Sequence, residues 1–237
     1  MKKLGIIFIG TGRYIGFYPE WRAAIDRHFC NDVEKQIFVF TDAQSTPVSD
    51  EVLVPIPHLP WPKVTLSRYR SMLKIYQSSQ GCSHFVYMDA DMVPVADICF
   101  DELFSGKDIF CVNHPGYPEC GQGDYDTNPS SNAFVGIIPP GYLYSQGCLW
   151  GAEWHEFFTL VIQCVQWTDA DQAKGHTPPW HDESYLNKYL IGRMGDFNQI
   201  PSSYCYPEGC GYTISEKKIL HQYKPSSEFA RFRGAHP

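Results

Sequence analysis

The stretch His84-Phe85-Val86-Tyr87-Met88-Asp89-Ala90-Asp91 constrains this chain more than any other. A largely apolar run feeds directly into two acids that flank one small residue. In a strand, alternate side chains share a face, so Asp89 and Asp91 point the same way and Ala90 the other. Two carboxylates side by side repel each other unless a cation sits between them. Hard oxygen ligands of this kind suit Mg²⁺ or Mn²⁺ and leave positions open for phosphate oxygens. The stretch therefore reads as a buried strand that delivers a metal to a nucleotide diphosphate. A D-x-D also arises by chance, and acids at strand ends serve as turn residues, so the rest of the chain has to decide.

That rest reads as one α/β domain over residues 1–237, with strands alternating with helices. Leu4 to Ile9 is a first buried strand, broken by Gly10-Thr11-Gly12-Arg13. Pro19 marks the first residue of a helix whose core stripe is Trp21, Ala24, Ile25 and Phe29. Gln36 to Thr41 is a second strand, and Val52-Leu53-Val54 an edge strand among prolines that cannot donate to a ladder. The spacing of Leu66, Tyr69, Leu73 and Tyr76 predicts a helix over 65–78, with Arg68 and Arg70 off its stripe on a solvated face. Ile109 to Val112 and Asn132 to Ile138 read as strands on either side of a long polar loop over 118–131. Trp154 to Val165 carries a strong helical stripe, and Tyr185, Leu186, Tyr189 and Leu190 open another helix. Asp182 and Glu183 fall in its first turn, where acids favour the helix dipole with or without another role.

Composition excludes some classes. A net charge of −7 without any basic block argues against a nucleic-acid partner. Nine cysteines lie scattered with no C-x-x-C, which argues against a zinc site or redox dithiol and for free thiols in a reducing compartment. The apolar run near the N-terminus is about half the length of a membrane span and lacks a small-residue cleavage site. It reads as the first strand of a soluble, cytoplasmic protein without a transmembrane segment.

Trp180-His181-Asp182-Glu183-Ser184-Tyr185-Leu186-Asn187-Lys188-Tyr189-Leu190 resembles the W-H-D-E-S-x-L-N-K-Y signature of glycosyltransferase family 6. The Phe-Val-Phe-Thr-Asp run at 38–42, the D-A-D, and His114-Pro115-Gly116-Tyr117 resemble further motifs of that family, in order. The family holds the histo-blood-group A and B transferases and the α1,3-galactosyltransferase. The resemblance implies a GT-A fold, with a central mixed sheet flanked by helices. It also implies retaining α1,3 transfer of galactose or N-acetylgalactosamine from UDP-Gal or UDP-GalNAc onto a galactoside acceptor. By the same resemblance Asp89 and Asp91 hold Mn²⁺, or Mg²⁺, and Ile9, Thr11 and Tyr14 meet the uridine. Arg68 falls near the donor sugar, which sets aside its solvated-face reading. Asp182 contacts that sugar and Glu183 is the carboxylate on the reacting face. His114 and Trp180 meet the acceptor, as does Glu183, and Lys224 and Arg231 close over the diphosphate.

Two departures bear on substrates. The donor-selecting triplet of the family is Gln146-Gly147-Cys148 here, which leaves the donor sugar open, and its Tyr-x-Trp-Asp is Tyr204-Cys205-Tyr206-Pro207. Losing that acid puts a fucosylated acceptor in doubt. The lack of an N-terminal anchor resembles soluble bacterial or phage-type members. Two other readings compete. One is an NAD-dependent oxidoreductase built on Gly10-Thr11-Gly12 with Asp42 on the ribose. The other is a carbohydrate-binding protein of the same fold without turnover.

Overall fold

The computed structural model describes residues 2–44, 48 and 50–222. Its frame is a seven-stranded sheet in the order β3-β2-β1-β4-β7-β6-β8. β1 (Lys3–Ile9), β2 (Glu34–Thr41), β3 (Glu51–Pro55) and β4 (His84–Met88) run parallel to one another. β7 (Ser145–Glu153) is antiparallel to both β4 and β6 (Ile109–Asn113), and β6 is parallel to β8 (Phe197–Ile200). The fold is thus α/β with a central mixed sheet. Strict alternation of strand and helix does not hold: β6 and β7 follow each other, as do α5 (Trp154–Ala173) and α6 (His181–Ile191).

The strands alternate between two cores. On one face Ile7, Phe38, Phe40, Phe85 and Tyr87 meet α5 and α6 through Phe157, Phe158, Val161, Tyr185 and Leu186. On the other, Ile6, Phe8, Ile37, Val39, Val86 and Met88 meet α1 (Tyr18–His28) and α4 (Phe100–Phe104) through Trp21, Ile25 and Phe104. Burial on both faces is why these strands read as continuous apolar runs. β3 is an edge strand, as its prolines require, and Pro19 sits in the first turn of α1. All nine cysteines are free, Cys205 buried and Cys210 exposed. Among the described residues no helix is long and apolar enough to cross a membrane.

Three further expectations need correction. β4 ends at Met88, and Asp89-Ala90-Asp91 forms the turn into β5 (Met92–Pro94), closed by the Met92 N–H on the Asp89 carbonyl at 3.2 Å. The strand pleat therefore does not set both acids. The helix expected over 65–78 is broken into α2 (Lys63–Leu66), α3 (Arg68–Met72) and a 3₁₀ turn at Leu73–Ile75. The break falls one residue before Arg68, whose side chain turns inward. Residues 132–138 are not a strand; one bridge joins Phe134 to Asp126. Side chains hold that segment instead. The buried Asp171 carboxylate accepts from the Ser131 hydroxyl, the Asn132 backbone and side-chain N–H groups, and Tyr185 Oη.

A second, three-stranded sheet, β5-β10-β9, lies beside the first. β10 (Ile219–His221) runs antiparallel to β5 and parallel to β9 (Tyr206–Pro207), pairing His221 with Met92. Chain from far along the sequence is thereby laid against the Asp89–Asp91 turn. Both that turn and the end of β1 lie at the carboxyl ends of parallel strands, where open α/β sheets bind ligands.

Candidate active site

Arg68 joins the two acidic stretches. Its guanidinium meets Asp182 Oδ2 at 2.5 Å and Asp89 Oδ1 at 3.3 Å, and lies 4.7 Å from the centre of the Tyr87 ring. Tyr87 Oη donates to Asp89 Oδ1, and Tyr69 Oη donates to the Asp182 carbonyl at 3.1 Å. Burial works against the Arg68 charge, but Asp182, Tyr87 and Asp89 outweigh it and hold the guanidinium firmly protonated. Arg70, by contrast, pairs with Asp169 on the surface, as an off-stripe residue should.

The D-A-D turn makes a second contact at its far side. His221 Nε2 lies 3.0 Å from Asp91 Oδ2, and the Gln222 N–H donates to the Asp91 carbonyl at 2.8 Å. One donor atom from each of Asp89, Asp91 and His221 lies within 4.8 Å of the others. Two carboxylates and an imidazole suit Mn²⁺ well, since that ion accepts both oxygen and nitrogen. The donor set therefore fits the divalent cation expected from the sequence.

Strand β7 reaches the same place through an irregularity. Its register with β6 jumps between Cys111 and Val112, so that Gly147-Cys148-Leu149 bulges out of the ladder. Bulges re-aim backbone groups and recur beside active sites. Here the Cys148 carbonyl accepts from the Asp89 N–H and the Gly147 N–H donates to Glu183 Oε2, each at 2.8 Å. A Cβ on Gly147 would stand 3.1 Å from Glu183 Cβ, so even an alanine here would press on the helix that carries Glu183. The Cys148 side chain is buried in the core on the α1 face, against Cys205. Gln146 Oε1 and Asn113 Oδ1 are buried without a hydrogen-bond partner.

The signature helix explains itself residue by residue. His181 has φ 50°, uncommon for a residue with a side chain, just where α6 begins. The Ser184 hydroxyl accepts from the Trp180 N–H at 3.1 Å. Asn187 stitches α6 to β7. Its Nδ2 donates to the carbonyls of Ser145 and Glu183, and its Oδ1 accepts from the Ser145 N–H and Tyr142 Oη. Lys188 donates to the Phe134 carbonyl at 2.7 Å. Asp182 and Glu183 are thus fixed on the face turned to the D-A-D. Burial pushes the Asp182 carboxyl up to about 6, against Arg68, and Glu183 up to about 7, against the Gly147 N–H and Tyr144.

The remaining expected residues fall in two groups. Trp180, 40% exposed, donates from Nε1 to Asp124 Oδ2 at 2.9 Å, and Asp124 also engages Tyr117. Tyr117 packs 4.8 Å from His114, whose imidazole burial pushes down to about 4. His114 and Trp180 thus belong to one surface beside Glu183. On the other side, Ile9 and Thr11 close β1, Thr11 Oγ1 lies 3.0 Å from His58 Nδ1, and Tyr14 sits in the 3₁₀ turn Gly12–Phe17. Asp42 Oδ1 accepts from the Gly12 N–H at 2.8 Å, and no long helix opens at that glycine as a dinucleotide site requires. Lys224 and Arg231 lie outside the described residues.

Sequence reasoning missed Tyr87, Asn187, Asp124, Tyr144 and His221. Tyr87 stands two before Asp89 on the strand, and Asn187 four after Glu183 on the helix, so both carried a periodic signal. His221 and Asp124 arrive from distant chain and carried none.

Comparison with known proteins follows the same lines. The model of glycosyltransferase family 6 matches residues 2–226. The chain is 29% identical over 238 residues to the O-antigen biosynthesis glycosyltransferase WbnI of Escherichia coli, covering 97% of this chain and 99% of that one. It is 26% identical over 200 residues to histo-blood group ABO system transferases 2 and 1 of Rattus norvegicus, covering 79% of this chain and 59% and 56% of theirs. With the oxidoreductase reading thereby set aside, the chain belongs to glycosyltransferase family 6.

Proposed function

We propose that the protein is a retaining α1,3-glycosyltransferase that moves galactose or N-acetylgalactosamine from a UDP-sugar onto a galactoside acceptor, with Mn²⁺ as its metal. The observation that carries this reading is the Arg68 bridge, which brings Asp89 of the D-A-D and Asp182 of the signature helix onto one guanidinium. Asp89 and Asp91, with His221, would hold Mn²⁺, which supplies positive charge for the departing diphosphate. Lys224 and Arg231 would add to that charge.

This chain's own groups do the rest. Ile9, Thr11 and Tyr14 hold the nucleoside at the end of β1. Arg68 and Asp182 fix the donor sugar, and Gln146 and Gly147 border it. Glu183, one oxygen fixed by the Gly147 N–H, faces the anomeric carbon and either stabilises its positive charge or captures it as a glycosyl ester. In the second case the acceptor hydroxyl then displaces the ester and configuration is retained. His114, Trp180 and Asp124 receive the acceptor. The E. coli relative's part in O-antigen biosynthesis favours a bacterial glycan as that acceptor, extended in the cytoplasm.

The test is hydrolysis and transfer measured on UDP-Gal and UDP-GalNAc. EDTA abolishes turnover and Mn²⁺ restores it; full activity in EDTA would undo the metal assignment. Glu183→Gln lowers kcat at least about a hundredfold, as loss of a group acting in the transition state does. Near-normal turnover in that variant removes Glu183 from the chemistry.

A further inference from the structure

Tyr144 has no place in the scheme above, yet its surroundings are unusual. It is fully buried, and its hydroxyl completes no hydrogen bond of good geometry. A buried polar group left unpaired is costly and rare in native structures. The group it faces is the Glu183 carboxyl. Each alters the other's proton affinity: beyond the effect of burial, Glu183 pushes the phenol up, and the phenol draws Glu183 down. The phenol therefore keeps its proton at any working pH and has it to donate to the Glu183 carboxylate.

The ring is held from every side. Tyr117, Tyr125 and His114 meet it edge-on, with centroids 5.2, 5.1 and 5.9 Å away. Loop backbone lies flat against it at Gly123, where φ is 149° and a Cβ would fall 2.3 Å from Tyr144 Cδ2. The backbone is pinned as well: the Tyr144 carbonyl accepts from the His114 N–H at 2.8 Å, and the next N–H, that of Ser145, donates to Asn187. Asn187 also holds the Glu183 carbonyl, so one side chain fixes Tyr144 and Glu183 relative to each other.

We propose that Tyr144 is a positioning residue for Glu183. Its hydroxyl donates to the carboxylate once substrates fill the site and, together with the Gly147 N–H, sets the direction from which Glu183 meets the anomeric carbon. Catalytic hydrogen bonds of this kind are often long in the free enzyme and tighten on the substrate. The cage around the ring is built from His114 and Tyr117, on the acceptor side. Changes in that loop therefore reach Glu183 without touching it. The inference rests on Glu183 acting in the reaction.

The test is a double-mutant cycle of Tyr144→Phe and Glu183→Gln on the whole chain with Mn²⁺, reading donor hydrolysis, transfer and thermal midpoint. Tyr144→Phe lowers kcat at least about tenfold, as loss of a preorganised donor does, while KM for the UDP-sugar stays within about twofold. Its thermal midpoint does not fall, because the hydroxyl it removes completes no well-formed hydrogen bond in the free protein. In the Glu183→Gln background the same change has no further effect. 3-Fluorotyrosine at position 144, still a donor, retains wild-type kcat. A Tyr144→Phe kcat within twofold of wild type, or equal losses in both backgrounds, overturns the inference and leaves the role of Glu183 standing. Near-normal turnover in Glu183→Gln overturns both.

Discussion

At the residue scale the described part of the site is short of positive charge. Asp89 and Asp182 share one guanidinium, that of Arg68, while Asp91 pairs with His221 and Glu183 takes its hydrogen bond from the Gly147 N–H. Carboxyls packed this way resist ionisation unless a cation joins them. Asp182 and Glu183 show that resistance, and burial is its first cause in each. A carboxyl whose proton is held more tightly in the folded state opposes folding while it is ionised, and that cost is relieved as pH falls through the raised value. Glu183 rises to about 7, so it is the anion above neutrality and the acid below. The expected pH profile of kcat/KM therefore falls tenfold per unit below about 7 and levels off above it. A flat profile from pH 5 to 8 removes the Glu183 anion from the reaction. Of this constellation, the sequence displayed the two aspartates openly and Arg68 only through family likeness, because an off-stripe arginine looks the same whether it faces water or a buried acid.

At the scale of elements, α6 was legible and the chain in front of it was not. Tyr185, Leu186, Tyr189 and Leu190 mark the helix, and Asn187, Ser184 and Lys188 turned out to be its fastenings to β7 and to the loop before it. Residues 132–138 carry strand-forming side chains, yet Asp171 on α5 fastens the start of the segment through Ser131 and Asn132. That clamp has a measurable worth. Asp171→Ala strands the Ser131, Asn132 and Tyr185 donors in a buried place, and is expected to cost about 3 kcal/mol in urea unfolding. A loss below about 0.5 kcal/mol, the usual size at an ordinary surface site, would show that the loop holds without it. Asp171 is held below the ordinary carboxylate range: burial raises it, and the hydrogen bonds it accepts from Asn132, Ser131 and Tyr185 outweigh that. Its contribution is thus present at neutrality and lost only as pH falls below the unfolded value.

For the whole molecule, the site is assembled across great sequence distance. Arg68 and Asp182 are 114 residues apart, and Asp91 and His221 are 130 apart. Local periodicity could not foresee either pairing; the packing of α3 and α6 on one face decides the first and the β5–β10 ladder the second. Because β10 brings His221 to the D-A-D turn, Mn²⁺ would tie the small sheet to the large one. At a hundredfold excess over its Kd the ion is expected to add about 2.7 kcal/mol of stability, read as a rise in thermal midpoint. His221→Ala is expected to reduce that rise, and an undiminished shift would remove His221 from the donor set. The same interlocking limits how far the enzyme can be redirected. With Glu183 Cβ 3.1 Å from where a side chain at position 147 would begin, any substitution there also shifts Glu183. Cys148 is walled into the opposite core beside Cys205. Of the three residues Gln146 alone presents a buried polar atom without a hydrogen-bond partner, so a change there disturbs neither Glu183 nor the opposite core.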